Sequence, residues 1–295
     1  MKLQLPHIRL SAPVKLILKL VISATIIILV VRKIDERLLL DVLKELKPVW
    51  IVWAILWFMI SKLISAFRFN VLLKTEGIRV PVWKNVRLYW LCMYYNLLLP
   101  GGISGDGYKI KLLMDAFEKP FKRIFKITLM DRLSGLFALV QLSLILLLYV
   151  TEFRTYWFLI VPAFLLSFFV SWLVFKWMIG KNGLAWIFTT LQSIGVQGAQ
   201  SIATLGLVFS LGQGMFWPDY LVLFLVSSVV AMLPITIGGA GARELTFLYG
   251  SQFLEIHAEK AVAIGFLFYL ISTSVSLMGL IFSFKKNDLR NLKNV

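Results

Sequence analysis

The chain has a single cysteine, Cys92, and two histidines, His7 and His257. One cysteine excludes an intrachain disulfide and a cysteine-based metal cluster, and two histidines do not make a zinc site of the usual kind. Acidic residues are scarce as well, 15 Asp and Glu against 31 Lys and Arg, for a net charge of +16. Long polar stretches are missing: apolar runs recur over the whole length, so no soluble domain is hidden between them. No Gly-Lys-Ser/Thr follows a glycine cluster and no strand precedes one, which excludes a phosphate-binding P-loop and a dinucleotide fingerprint. Neither a metal nor a cofactor is expected.

What the chain has is apolar residues. They make up 59% of it and the mean hydropathy is +0.84, whereas soluble domains are about 45–50% apolar. The 295 residues read as one integral membrane domain. A basic balance is one signature of nucleic-acid binding. Here the basic residues sit between apolar runs, where they set topology and meet anionic headgroups. The run Leu20–Val31 after Lys15 and Lys19 has the form of a signal peptide, but no small-residue cleavage site follows it. An uncleaved first helix is the reading taken.

A spanning helix needs roughly 20 mostly apolar residues. Six segments qualify, about 14–31, 49–70, 127–150, 156–178, 184–211 and 261–283. Two further apolar segments, about 86–112 and 219–249, are interrupted. Lys and Arg cluster before the first segment, at Lys74–Arg87, at Lys109–Lys126 and in the tail, whereas 212–218 has none and 250–260 only Lys260. The positive-inside rule then puts both termini in the cytoplasm and makes each interrupted segment re-entrant, the first from inside and the second from outside. The loop at 32–47, with five basic and four acidic residues, does not discriminate. The expected architecture is an all-α polytopic membrane protein with about six spanning helices, two re-entrant Pro/Gly-broken segments and an inverted-topology repeat, the first copy about 14–150 and the second about 156–283.

The two interruptions share a form. One runs Leu99-Pro100-Gly101-Gly102-Ile103-Ser104-Gly105-Asp106-Gly107-Tyr108-Lys109, the other Pro234-Ile235-Thr236-Ile237-Gly238-Gly239-Ala240-Gly241-Ala242-Arg243-Glu244. Proline removes a donor and opposes helix continuation, and non-helical backbone survives in a membrane only inside protein or beside a wet cavity. The helix that restarts offers free N–H groups and a positive dipole end, which suit an anion such as a lipid phosphate. Helix packing through Gly101 and Gly105, a small-xxx-small pair, is the structural alternative. Repetition of Pro, glycine cluster and charge in both halves favours a substrate site.

Ionisable residues within or beside apolar segments are functional candidates, here Asp106, Asp131, Arg132, Arg243 and Glu244. Sequence neighbours do not face each other on a helix, so Asp131–Arg132 and Arg243–Glu244 need partners elsewhere. Arg132 with Glu244, or Arg243 with Asp131, would link the halves. Asp131 and Arg132 could equally lie in headgroup water at a helix end. In the fifth segment Gln197, Gln200, Ser201 and Thr204 form a polar stripe, suited either to interhelical hydrogen bonds or to a groove for a headgroup. Phe117, Phe121 and Phe125 alternate with Lys119, Lys122 and Lys126, as in an interfacial helix on an anionic leaflet. Trp50, Trp83, Trp157 and Trp217 are expected interfacial anchors.

Leu99-Pro100-Gly101-Gly102 with Gly105-Asp106-Gly107-Tyr108-Lys109, then Asp131-Arg132-Leu133-Ser134-Gly135, then Pro234 with Gly238-Gly239-Ala240-Gly241-Ala242-Arg243-Glu244 resemble the lysylphosphatidylglycerol synthetase transmembrane family. This is the flippase-like domain of the multiple peptide resistance factor, also found as free-standing proteins. Ser104, Lys109 and Asp131 stand where the family commonly has glycine, arginine and glutamate. Lysine at 109 weakens bidentate phosphate gripping there. The resemblance implies translocation of a lipid between leaflets. It also places lysyl transfer in a separate soluble domain, for which no room is seen before Val295.

The function expected is therefore a lipid translocase of the cell membrane, carrying an anionic, aminoacylated or polyprenyl-phosphate lipid. Its site is expected to comprise Pro100, Gly101, Gly102, Gly105, Asp106, Tyr108, Lys109, Asp131, Arg132, Gln197, Gln200, Pro234, Gly238, Gly239, Gly241, Arg243 and Glu244. A coupled proton or ion would ride on Asp106, Asp131 or Glu244. Two rivals stay open. One is a membrane transferase using Asp106, Asp131 and Glu244 as general base or metal ligands. The other is a non-catalytic partner of a separately encoded synthase or glycosyltransferase. Whether the chain is an enzyme is left open, and the reading leans against it.

Overall fold

The computed structural model describes residues 21, 44, 46–98, 104–180, 183–232 and 241–284. They are helical, with no strand among them. The order is α1 (Pro48–Thr75), α2 (Val82–Leu98), α3 (Ser104–Phe117), α4 (Phe121–Leu147), the single turn α5 (Thr151–Arg154), α6 (Trp157–Met178), α7 (Gly183–Ser210), α8 (Trp217–Ala231), α9 (Ala242–Phe253), α10 (Ala258–Leu277) and α11 (Leu280–Phe284). The expected segment 14–31 lies outside the described residues.

Five helical stretches are long and apolar enough to cross a membrane: Pro48–Thr75, Phe121–Leu147, Trp157–Met178, Gly214–Ala231 and Ala258–Ser283. The chain is an all-α polytopic membrane protein. α7 is as long as α1 but is not among the five. Its Gln192, Gln197 and Gln200 dilute the hydropathy of a helix without a single ionisable residue. Conversely, Gly214–Ala231, which takes in α8 and so one arm of the expected second broken segment, has the length and apolarity of a span.

Two boundaries differ from expectation. α4 starts at Phe121 rather than near 127, with Pro120 as its N-cap. The segment 115–126 is consequently not one interfacial helix. α3 ends at Phe117, Glu118 takes a positive φ of 53°, and Pro120, unable to donate within a helix, forces the corner. Phe121 and Phe125 then stack, at 5.4 Å between ring centroids, on an exposed face of α4.

Side-chain contacts fix the helix directions. Lys47 N–H donates to Ser210 Oγ at 3.0 Å, Trp53 Nε1 to the Ile202 carbonyl at 3.2 Å, and Arg68 Nη1 to Ser193 Oγ at 3.1 Å. Numbers rise along α1 as they fall along α7, so the two are antiparallel, and theirs is the most extensive helix contact. Arg68 also holds Asp131, and Gln197 Nε2 donates to the Gly135 carbonyl at 3.4 Å. Here 131 pairs with 193 and 135 with 197, so α4 runs parallel to α7. Lys260 Nζ donates to the Leu211 carbonyl at 3.1 Å, which sets the first turn of α10 beside the end of α7. Phe58 and Phe268, at 5.5 Å, then lie level on α1 and α10.

The packing repeats between the halves. α1 touches α2 as α7 touches α8; α2 touches α3 as α8 touches α9; α3 touches α4 as α9 touches α10. Across the halves, α2 packs on α10 as α8 packs on α4, and α4 on α7 as α10 on α1. In lipid the drive is close packing rather than water exclusion. A core of Ala54, Phe58, Ala203, Leu207, Phe224, Phe247 and Phe268 joins both halves. α6 contributes little to this core. It leans on α4 and exposes Trp157, Leu165, Leu166, Phe169 and Trp177, the expected surface of a lipid-facing helix.

Candidate functional site

Five charged side chains converge on one cavity. About 300 Å³ in volume, it is lined by Lys62, Ser65 and Arg68 of α1, Tyr89 and Asn96 of α2, and Asp106 of α3. Asp131, Arg132 and Gly135 of α4, Val196, Gln197 and Gln200 of α7, and Met232 complete it. Asn96 stands shortly before Pro100, Asp106 lies past the first glycine pair, and Met232 is two residues before Pro234. The volume is at the low end for ligand pockets, enough for a headgroup without its chains.

The cavity lies deep in the helices. Asp131 and Ser193 are each the eleventh residue of their helix, about 15 Å from its start at the ~1.5 Å rise of an α-helix. Asp131 is 5% exposed. It is enclosed by protein rather than left open at a helix end.

Arg68 is the hub. Its Nε donates to Asp131 Oδ1 at 2.8 Å and its Nη1 to Ser193 Oγ at 3.1 Å, tying α1 to α4 and α7. Gly135 leaves room for this guanidinium: a Cβ there would stand 3.4 Å from Arg68 Nη1. Arg132 donates through Nε to Asp106 Oδ2, and Lys109 Nζ lies 3.6 Å from Asp106 Oδ1. The Lys109 ammonium is otherwise enclosed between the Phe69 and Tyr89 rings, at 4.2 and 4.6 Å. It anchors Asp106 from behind instead of lining the cavity.

The restart of the first interrupted segment is tightly built. Gly105 N–H donates to Asn96 Oδ1 at 2.8 Å across the break. A Cβ on Gly105 would fall 1.9 Å from the Cys92 carbonyl oxygen, so only glycine lets α3 lie this close to α2. Asp106, in the first turn of α3, complements the positive end of that helix. Tyr108 points elsewhere, with its ring against Tyr95 at 4.9 Å.

At the second interruption Glu244 does not reach Arg132. Its Oε2 accepts from Gly241 N–H at 2.7 Å, capping its own helix, where Gly241 has φ 81°. Arg243 does not reach Asp131 either. Its Nη1 donates to Ser227 Oγ and Ser228 Oγ at 3.0 and 3.2 Å, and its guanidinium lies over Phe224 and Phe268 at 5.5 and 5.0 Å. Both cross-half pairings expected from charge are corrected: the link between halves runs instead through Arg68, Asp131 and Ser193.

Of the expected site residues, Asp106, Asp131, Arg132, Gln197 and Gln200 line the cavity. Gly105 and Lys109 support it, Gly241, Arg243 and Glu244 are not part of its lining, and Tyr108 faces away. Pro100, Gly101, Gly102, Pro234, Gly238 and Gly239 lie outside the described residues. Lys62, Arg68, Tyr89 and Asn96 line the cavity and went unnoticed. For Lys62 and Arg68 the signal was there, since both are charges inside an apolar segment. Tyr89 and Asn96 carry no such mark.

No curated protein matches the chain. The family model for the lysylphosphatidylglycerol synthase TM region matches residues 16–183, which include the first interruption, Asp131–Gly135 and every cavity residue before α7. A match over more than half of the chain, on the helices that build the charged cavity, establishes that this protein belongs to the lysylphosphatidylglycerol synthase TM region family.

Proposed function

We propose that the protein is a lipid translocase of the cell membrane, with its headgroup site in the Lys62–Arg68–Asp131 cavity. The family relates to phospholipid handling, and the observation that carries the finer reading is the cavity's construction. It is charged, set deep in the bundle, and walled by helices of both halves and by residues flanking both interruptions. A site at the meeting of two repeats, with broken helices on either side, is the arrangement alternating access requires.

The helix directions support an inverted repeat. α1 and α7 occupy matching places and run antiparallel, as do α4 and α10. α1 ends and α4 begins on one side, so the segment between them leaves and returns to that side. α7 ends and α10 begins on the other, so α8 and α9 return there. This supports two re-entrant segments facing opposite leaflets; the positive-inside rule would put both termini in the cytoplasm. The first repeat would run through about residue 150 and the second from about 156. Further along the α1–α7 contact, Val49, Trp53, Leu56, Leu205 and Phe209 line an apolar groove of about 530 Å³, suitable for an acyl or polyprenyl chain.

The test is movement of fluorescent phosphatidylglycerol, lysyl-phosphatidylglycerol and a polyprenyl phosphate across proteoliposomes, with wild type and Arg132→Gln compared after both are shown folded by thermal melting. Movement above protein-free vesicles, lowered about tenfold in the variant, is expected; that is about 1.4 kcal/mol of barrier. No movement of any of the three by folded wild type removes the translocase reading.

A further inference from the structure

The charges of the cavity do not balance. Among the described residues four cations stand in or against it, Lys62, Arg68, Arg132 and Lys109, against two carboxylates, Asp106 and Asp131. Each carboxylate is already engaged. Asp131 accepts from Arg68, and Asp106 holds both Arg132 and Lys109. Lys62 has no carboxylate partner among the described residues. Its ammonium lies 4.4 Å from the Phe58 ring, and the nearby Asp131 is already bonded to Arg68. A cation left uncompensated in a membrane interior is unfavourable, and an arriving anion would relieve it.

We infer that the cavity selects a lipid whose headgroup is a phosphate with no compensating amine, and that Lys62 is the residue that reads it. The inference rests on the lipid-site reading above and narrows its substrate class. An aminoacylated headgroup would bring ammonium groups to a cavity whose acids are all taken and whose unpaired charge is positive. Two surplus cations suit a phosphomonoester better than a phosphodiester, since the former carries nearly two negative charges and the latter one. Phosphatidic acid and a polyprenyl phosphate share that headgroup and differ in the chain.

Native mass spectrometry on the purified full-length protein, titrated with phosphatidic acid, undecaprenyl phosphate, phosphatidylglycerol, lysyl-phosphatidylglycerol and phosphatidylcholine, tests this. The two phosphomonoesters should bind at least about tenfold more tightly than the lysylated and zwitterionic lipids, with phosphatidylglycerol between. Lys62→Gln should reduce that preference about tenfold, and Lys62→Arg should keep it. Lys122 is exposed, and Lys122→Gln serves as the control for general surface charge. Preference for lysyl-phosphatidylglycerol, a ranking unchanged in Lys62→Gln, or an equal loss in Lys122→Gln each overturns the inference. A difference between phosphatidic acid and undecaprenyl phosphate shows which chain the site accepts, and the shared headgroup preference stands. Flipping assays on the same preparation separate the two claims. Ranked binding without movement removes the translocase and leaves the selection. Movement that favours lysyl-phosphatidylglycerol removes the selection and leaves the translocase.

Discussion

α1 and α7 are matched by their packing and differ in chemistry. Both are long, they run antiparallel in intimate contact, and each opens its half of the cavity wall. α1 brings Lys62 and Arg68, whereas α7 brings Gln197, Gln200 and Ser193 and no ionisable residue. The restarting helices differ in the same way. Asp106 of α3 is clamped by two cations, while Glu244 of α9 caps its own backbone and Arg243 rests on hydroxyls and rings. The first half therefore holds both of its cavity acids in ion pairs that cross-link helices, and leaves Lys62 outside them. The second supplies neutral donors and acceptors and an arginine bound only by neutral groups. Shared scaffolding does not require a shared electrostatic role.

The sharpest way to break this comparison is to unpair the first half. Arg68→Ala strands the buried Asp131 and should destabilise by about 3–5 kcal/mol, as removing one partner of a buried pair does. Asp131→Ala should cost a similar amount, and the double variant clearly less than the sum, because the second removal takes away the charge the first left bare. In the second half, Ser227→Ala should cost only about 1 kcal/mol, the scale of a single hydrogen bond whose guanidinium donor keeps a second hydroxyl partner. Unfolding in detergent by temperature or denaturant reads all four. If Ser227→Ala costs as much as Arg68→Ala, the distinction between paired and unpaired halves fails.

Two glycines two residues apart in the first turn of α3 sharpen the account of the first interruption. Gly105→Ala drives a methyl against the Cys92 carbonyl and should cost about 1–3 kcal/mol or more by overpacking. Gly107→Ala meets nothing within 4 Å and sits in the same helix, where alanine is favoured by up to about 1 kcal/mol. Opposite signs in melting temperature are expected. Equal destabilisation would mean that helix start, not α2–α3 contact, governs the segment.

Much of this architecture was legible in the chain. The apolar runs placed α1, α6 and α7 within a few residues, and charge or polarity inside apolar segments picked out Asp106, Asp131, Arg132, Gln197 and Gln200. The pairings were not legible. Arg68 and Asp131 lie 63 residues apart, and composition cannot choose among cations at that separation; sign alone suggested Arg243 for Asp131, and packing decided otherwise. The Phe117–Phe121–Phe125 pattern was real, but Pro120 cut it, so a periodicity that spans a proline described two helices. Asn96 was invisible because its role, receiving the Gly105 N–H, exists only once the broken segment has folded back.

The smallest effect concerns the buried glutamines. Gln141 of α4 is 1% exposed, and neither its amide nitrogen nor its oxygen has a partner among the described residues. It does not line the cavity, whereas Gln197 does. A buried amide without partners is unfavourable by roughly 1–3 kcal/mol, and an apolar side chain of similar size removes that cost. Gln141→Leu should accordingly leave stability unchanged or raise it by about 1 kcal/mol, and leave lipid movement as in wild type. Gln197→Leu, which deletes a polar wall and the bond to the Gly135 carbonyl, should fold but move lipid more slowly. The pair asks where the polar site stops along α4 and α7. If Gln141→Leu slows transport as much as Gln197→Leu, the headgroup or a coupled ion passes Gln141, and the site extends beyond the charged cavity towards the far ends of those two helices.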